Sequence, residues 1–267
     1  MALSLAMVWG AAMATVLVVP AATERIEAYA YADRKDIEEV RFEEPSRLRE
    51  IGEYAFLGCS SLREVRLPDS LREIGEGAFR ECSALEEIEV PTHVTKLPRY
   101  VFSWCSALRR AHLPRSLADI GSGCFAHCEN LSEVNFPKGL LHVGANAFSF
   151  CKSLKSVVLP SGITELESYA FSECTALRQA TLPANDHLLG ELIFSGCQDL
   201  RVITCGSEMP PPFDCNSTLF EDNEPQMYEQ CRLRVPSTAI DAYRKAQGWR
   251  LFKEIEGVGE DSECSTM

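Results

Sequence analysis

The chain has 267 residues, 46% hydrophobic and 24% charged, which are the proportions of a folded protein and exclude a largely disordered one. Its formal net charge of −13 argues against nucleic acid as a partner, because phosphate binding needs a basic face. Twelve cysteines would ordinarily point to a disulfide framework or to zinc sites, but their spacing fits neither.

Residues 1–22 form an apolar N-terminal segment without a charged side chain. It reads first as an export signal, with Pro20-Ala21-Ala22 as small residues for cleavage. No Lys or Arg precedes the apolar run, so a buried N-terminal end of the array that follows is the second reading and a retained anchor the third. No cysteine follows the run, so a lipid-anchored start is not expected.

Residues 23–205 are an internal repeat. Phe-x-x-Cys recurs every 23 residues from Phe56/Cys59 through Phe79/Cys82, Phe102/Cys105, Phe125/Cys128, Phe148/Cys151 and Phe171/Cys174 to Phe194/Cys197. Proline keeps the same step from Pro45 to Pro183, and leucine from Leu62 to Leu200. Offset by 25 residues, Ile26, Tyr31, Ile37, Val40 and Phe42 match Ile51, Phe56, Leu62, Val65 and Leu67. There are thus about eight units, and the first is degenerate, as a terminal cap should be.

Each unit has a physical reading. Leu62-x-x-Val65-x-Leu67 alternates like a short strand with one buried face. Pro68 stops it, because proline cannot donate to a ladder. Leu71-x-x-Ile74-Gly75 turns the chain back, and Ala78-Phe79-x-x-Cys82 packs at helical or 3-10 spacing. One unit cannot bury its own apolar edge, whereas eight stacked units share a continuous core beside a parallel sheet.

The run from Cys59 to Phe79 resembles the BspA-like, or treponemal-type, leucine-rich repeat family. The resemblance covers about residues 26–255. It implies a leucine-rich-repeat solenoid: a parallel β-sheet on one face, short strands or 3-10 or helical turns on the other, and a C-terminal α/β cap. Residues 206–258 are that cap. It holds a proline-rich loop over 206–223, a strand at Cys231–Pro236, a helix over Ser237–Trp249 capped by Thr238-x-x-Asp241 and ended by Gly248, and a last strand holding Phe252 and Ile255. Residues 259–267 read as a flexible tail. The resemblance also implies an exported, often surface-attached protein that adheres to host or neighbouring-cell proteins. Fold alone does not fix that.

No catalytic constellation, phosphate loop or dinucleotide fingerprint is present, so no enzyme, cofactor or small-molecule substrate is expected. The cysteine column reads as buried free thiols acting as small hydrophobes, and Cys124 reads as core in the alanine column. A straight column cannot converge four ligands on zinc, and no metal site is expected. Cys205, Cys215, Cys231 and Cys264 stand outside the column, and Cys215 and Cys231 flank the loop and are candidates to staple it. His93, His112, His127, His142 and His187 read as surface histidines. Asn130-Leu-Ser132 and Asn216-Ser-Thr218 are glycan acceptors only in a eukaryotic cell.

The candidate site is the outward strip beside each buried strand residue: Glu64/Arg66, Glu87/Glu89, Arg110/His112 and Glu133/Asn135, then Ser156/Val158, Gln179/Thr181 and Val202/Thr204. Charge fades along it. It reads as a surface for an unknown protein partner or as a solvated face whose charges pair across strands, Glu89 with His112 or Arg110 with Glu133. Trp104 and Phe150, in a column shared with Gly58 and Glu81, are candidate anchors or local packing. The membrane enters only through the possible N-terminal signal. A self-associating envelope protein and an intracellular scaffold are the alternative functions.

Overall fold

The structure, a computed structural model, describes residues 15–184, 189–212, 219–220 and 225–259. Several sequence expectations fall outside these residues: the apolar segment up to Ala14, His187, Cys215, Asn216-Ser-Thr218, Cys264 and the tail from residue 260.

Each 23-residue unit makes one turn of a solenoid with two rows of parallel strands. The main row runs through Glu39–Phe42, Glu64–Val65, Glu87–Glu89, Arg110–His112, Glu133–Val134, Ser156–Val158, Gln179–Leu182 and Val202–Cys205. The row falls into three short sheets, in which paired residues are 23 apart, as Glu87 and Arg110 or Arg110 and Glu133, except in the first unit, where Glu39 pairs with Glu64. Alternation places Val40, Val65, Ile88, Ala111, Val157, Ala180 and Ile203 inside and leaves their flanking residues toward solvent. The second row consists of two-residue strands, from Arg25–Ile26 and Glu50–Ile51 to Glu165–Leu166. The Leu-x-x-Ile-Gly segment is therefore a short strand, which puts Ile51, Ile74, Leu97, Ile120 and Val143 into the core beside the first row. Glycine follows at Gly75 because there is no room for a side chain: an added Cβ would lie 2.4 Å from the Glu53 backbone nitrogen.

The turns between the rows carry the aromatic core. Phe56, Phe79, Phe102, Phe125, Phe148, Phe171 and Phe194 are fully buried and stacked, with ring centroids 5.2–6.1 Å apart. Tyr31 of the first unit extends the stack, 5.2 Å from Phe56. Three residues on, each column thiol points to the previous unit. Cys105 Sγ donates to the Phe79 carbonyl at 3.2 Å, and Cys128 Sγ to that of Phe102 at 3.1 Å. The thiols are thus small hydrophobes that also satisfy a buried carbonyl.

Both ends of the array are covered. Val16–Val19 pairs in parallel with Glu39–Phe42 and adds a strand ahead of the unit that begins near Ile26. At the other end, Arg232–Pro236 and Glu254–Val258 continue the main row. A helix at Ile240–Lys245 buries Tyr243, whose hydroxyl donates to the Ser207 carbonyl at 3.0 Å. The helix is shorter than the sequence predicts. No side chain caps it, and the Thr238 hydroxyl donates to Glu208 instead. Gly248, at φ 76°, separates it from a 3-10 turn at Trp249–Leu251. Phe252 is buried just before the last strand and not within it, while Ile255 lies in the strand. A second helix, Pro225–Gln230, lies where the sequence shows no helical pattern. Among the described residues no helix is long and apolar enough to cross a membrane.

Candidate functional site

The main strand row brings the predicted strip together. Arg63, Glu64, Arg66, Glu86, Glu87, Glu89 and His112 line one shallow depression. Glu133 and Asn135 line an adjoining one that shares His112 and reaches Ser156. The two form one band across four consecutive strands.

Its charges are not evenly matched. Arg66 Nε donates to Glu64 Oε1 at 2.7 Å within one strand. Arg110 lies opposite both Glu87 and Glu133, yet its guanidinium pairs with Glu87. Glu89 faces His112 in the ladder with no ion pair between them. Neither expected cross-strand pair forms, and among the described residues Glu89 and Glu133 have no ion-pair partner. Asn135 is occupied: its side-chain amide accepts from the Leu113 nitrogen and donates to the Leu113 oxygen, each at 2.8 Å. It continues the ladder where the backbone strand ends.

The strip is longer than the sequence reading. Charge fades through Val202/Thr204 and then returns, because Arg232 and Arg234 lie in register with Val202 and Thr204. Arg232 pairs with Glu254 and Glu256 at 3.1 Å, and Arg234 with Glu256 at 3.6 Å.

Trp104 and Phe150 are joined by a residue that the sequence reading counted only among the surface histidines. His127 lies between them, with ring centroids 3.8 Å from Trp104 and 4.4 Å from Phe150 and planes within 10°. All three have left-handed backbone, φ 60–64°. The column accepts Gly58 for that reason, and non-glycine residues sit there under strain. Trp104 is 47% exposed, while His127 and Phe150 are half-buried. Burial and, to a lesser extent, Lys152 lower the His127 pKa against the pull of Glu129, which keeps the ring neutral for stacking.

A second cluster lies on the other strand row. His142 Nδ1 is 2.9 Å from Asp119 Oδ1, and Nε2 is 3.1 Å from Glu167 Oε1. Glu165 pairs with His142 in the ladder. Burial lowers the His142 pKa, but the hydrogen bonds to Asp119 and Glu167 outweigh it and hold the value above the usual histidine range. Three residues of one column and a fourth two positions along meet here, which no local motif announces.

The thiols are not chemically poised. Burial pushes Cys59 up to about 11 and Cys231 up to about 12, and raises Cys82, Cys105, Cys124, Cys128 and Cys151. Cys205 and Cys231 are buried and free.

A solenoid of stacked strand-and-turn units with an open strand face is a leucine-rich-repeat protein, a fold typical of protein–protein interaction. The chain belongs to the BspA type leucine rich repeat family, whose pattern matches residues 24–151 and 95–211 in six copies. Among solved structures, a leucine-rich repeat protein from Bacteroides ovatus is similar in fold. It is 23% identical, with TM-score 0.57 over 92% of this chain and 74% of that one. The pneumococcal vaccine antigen PcpA is 18% identical, with TM-score 0.56 over 91% and 67%. A T. pallidum leucine-rich repeat protein is 27% identical, with TM-score 0.46 over 74% and 78%. No curated protein matches the chain.

Proposed function

We propose that this protein is an exported, non-enzymatic binding module, and that its strand face between Glu64 and Asn135 docks a protein partner carrying a basic patch. The observation that carries the reading is the unequal pairing on the strip. Its outward arginines at 41, 66, 110, 232 and 234 are each engaged by a glutamate, whereas Glu89 and Glu133 are exposed and have no ion-pair partner among the described residues; Arg63 and Glu86, beside the strip, are likewise without ion pairs and offset each other in charge. An acidic surplus on a rigid strand face favours a cationic complement and speeds its encounter.

Export has its own support in the N-terminal sequence. The apolar run of residues 1–22 ends in Pro20-Ala21-Ala22, small residues that suit a cleavage site. Cleavage there removes Val16–Val19 and leaves Glu39–Phe42 as the first strand of the main row. Surface display to a host or neighbouring cell follows the same reading, and the resemblance in fold to a vaccine antigen agrees with it.

The test is affinity capture from a cell-surface protein fraction with the wild-type chain, a Glu89→Lys/Glu133→Lys variant and a Glu53→Lys control. Glu53 is exposed on the turn beyond the second strand row. A specific partner should be retained by the control, lost by the double variant, and weakened about 10-fold or more by raised salt. Equal capture by all three proteins would sink the strand-face assignment. A self-associated chain in light scattering, dissociated by the double variant, would make the partner another copy.

A further inference from the structure

We propose that His142, Glu165 and Glu167 form a binding site for a divalent transition-metal ion of the zinc class. Among the described residues, one ligand atom from each of the three lies within 4.8 Å of the others. A zinc ion 2.0–2.1 Å from each ligand sets tetrahedral ligand atoms about 3.3 Å apart. His142 Nε2 and Glu167 Oε1 are already 3.1 Å apart. Only the Glu165 carboxylate, exposed at the rim, has to swing inward.

The surroundings fix the ligands as metal sites require. Asp119 Oδ1 accepts from His142 Nδ1 at 2.9 Å, which orients the ring with Nε2 toward Glu167, and a bound ion would replace the proton that Nε2 shares with that carboxylate. The other oxygen of Glu167 accepts from the Ala145 backbone nitrogen at 2.6 Å, so this carboxylate is held too. Glu167 also departs from the repeat. Its position is glycine in the units at Gly52, Gly75, Gly121, Gly144 and Gly190 and proline at Pro98. Here the unit carries a carboxylate aimed at the histidine of its neighbour. Two glutamates neutralise a dication, and a fourth position stays open to water. An imidazole in the set favours zinc-like ions over calcium or magnesium, which prefer oxygen alone. The site lies on the second strand row, so it stands whether or not the strand face binds a protein.

Equilibrium dialysis of the full chain against Zn2+ alone, with Ca2+ in a parallel arm, tests this. The expected result is one Zn2+ bound per chain and no Ca2+ competition. His142→Ala should abolish binding. Glu165→Gln, an exposed change that leaves the core untouched, should weaken it at least 10-fold, as should Asp119→Asn through the orientation of the ring. His93→Ala should bind as the wild type does. Co2+ in place of Zn2+ should give an absorption spectrum without thiolate charge transfer. Zinc retained by the folded His142→Ala and Glu165→Gln variants, a thiolate band with Co2+, or no zinc uptake by the wild type would each overturn the proposal.

Discussion

Raising the pH should destabilise this protein through its own cysteines. Cys82, Cys105, Cys124, Cys128 and Cys151 have no exposed surface, and burial raises each pKa well above the ordinary thiol range. In the unfolded chain a thiol ionises near pH 8.5. Because the folded value is the raised one, the associated stability is fully present below about pH 8.5 and is lost as pH climbs toward the folded value. At pH 10, each thiol that stays protonated in the fold lowers stability by roughly 2 kcal/mol relative to neutral pH. Lysines and tyrosines also titrate there, so the informative quantity is the gap between wild type and Cys105→Ala/Cys128→Ala. At pH 7 the variant should be less stable by about 2–4 kcal/mol, because it loses two buried sulfurs and their hydrogen bonds to Phe79 and Phe102. Between pH 7 and pH 10 that gap should shrink by roughly 4 kcal/mol, since the variant has two fewer thiols to ionise on unfolding. Urea unfolding midpoints at unit steps of pH, under reductant, measure it. A gap that stays constant would show that the column thiols ionise in the native protein, and the packing account of the column would be wrong.

Three further outcomes are expected. Phe125→Ala, mid-ladder with neighbours at 5.3 and 5.2 Å, should cost about 3–5 kcal/mol in urea unfolding, and Phe125→Leu distinctly less. A cost below about 1 kcal/mol for alanine would mean the ring stack is not the core. Gly75→Ala should lower the melting temperature despite the small added volume, since its Cβ meets backbone and not a flexible side chain; an unchanged or higher melting temperature would contradict the close approach of the second strand row. Asn135→Ala should cost about 1–3 kcal/mol by stranding the Leu113 backbone groups, whereas a stability-neutral change that weakens partner capture would make Asn135 a binding residue after all.

The repeat was legible because the core imposes the same residue at every 23-residue step. Phe125, Cys128, Leu131 and their equivalents each fill one buried place, and stacking copies the place. The second strand row was less visible, since two residues such as Glu73–Ile74 are too short to show alternation. Alternation assigned Glu64, Glu87, Arg110 and Glu133 to one strand face, but it could not assign their pairing, because Arg110 has a glutamate on either side and spacing cannot say which it takes. His127 and His142 were read as isolated surface histidines. A full column comparison would have put His127 between Trp104 and Phe150, and Asp119 and Glu165 on either side of His142. Glu167 was beyond reach in that way, because it enters from the glycine column and reaches His142 only through its side-chain path. The Ser237–Trp249 helix was overextended because the sequence pattern does not register that Thr238 bonds to Glu208 in a distant loop.

Hydrogen–deuterium exchange on the chain with and without its captured partner tests most directly whether function lies on the strand face. The account predicts protection concentrated in Glu87–Glu89, Arg110–His112 and Glu133–Val134, with the Trp104, His127 and Phe150 turns unchanged. Protection at those aromatic turns, with the strands unaffected, would contradict it and move the binding surface to the turns between the two strand rows.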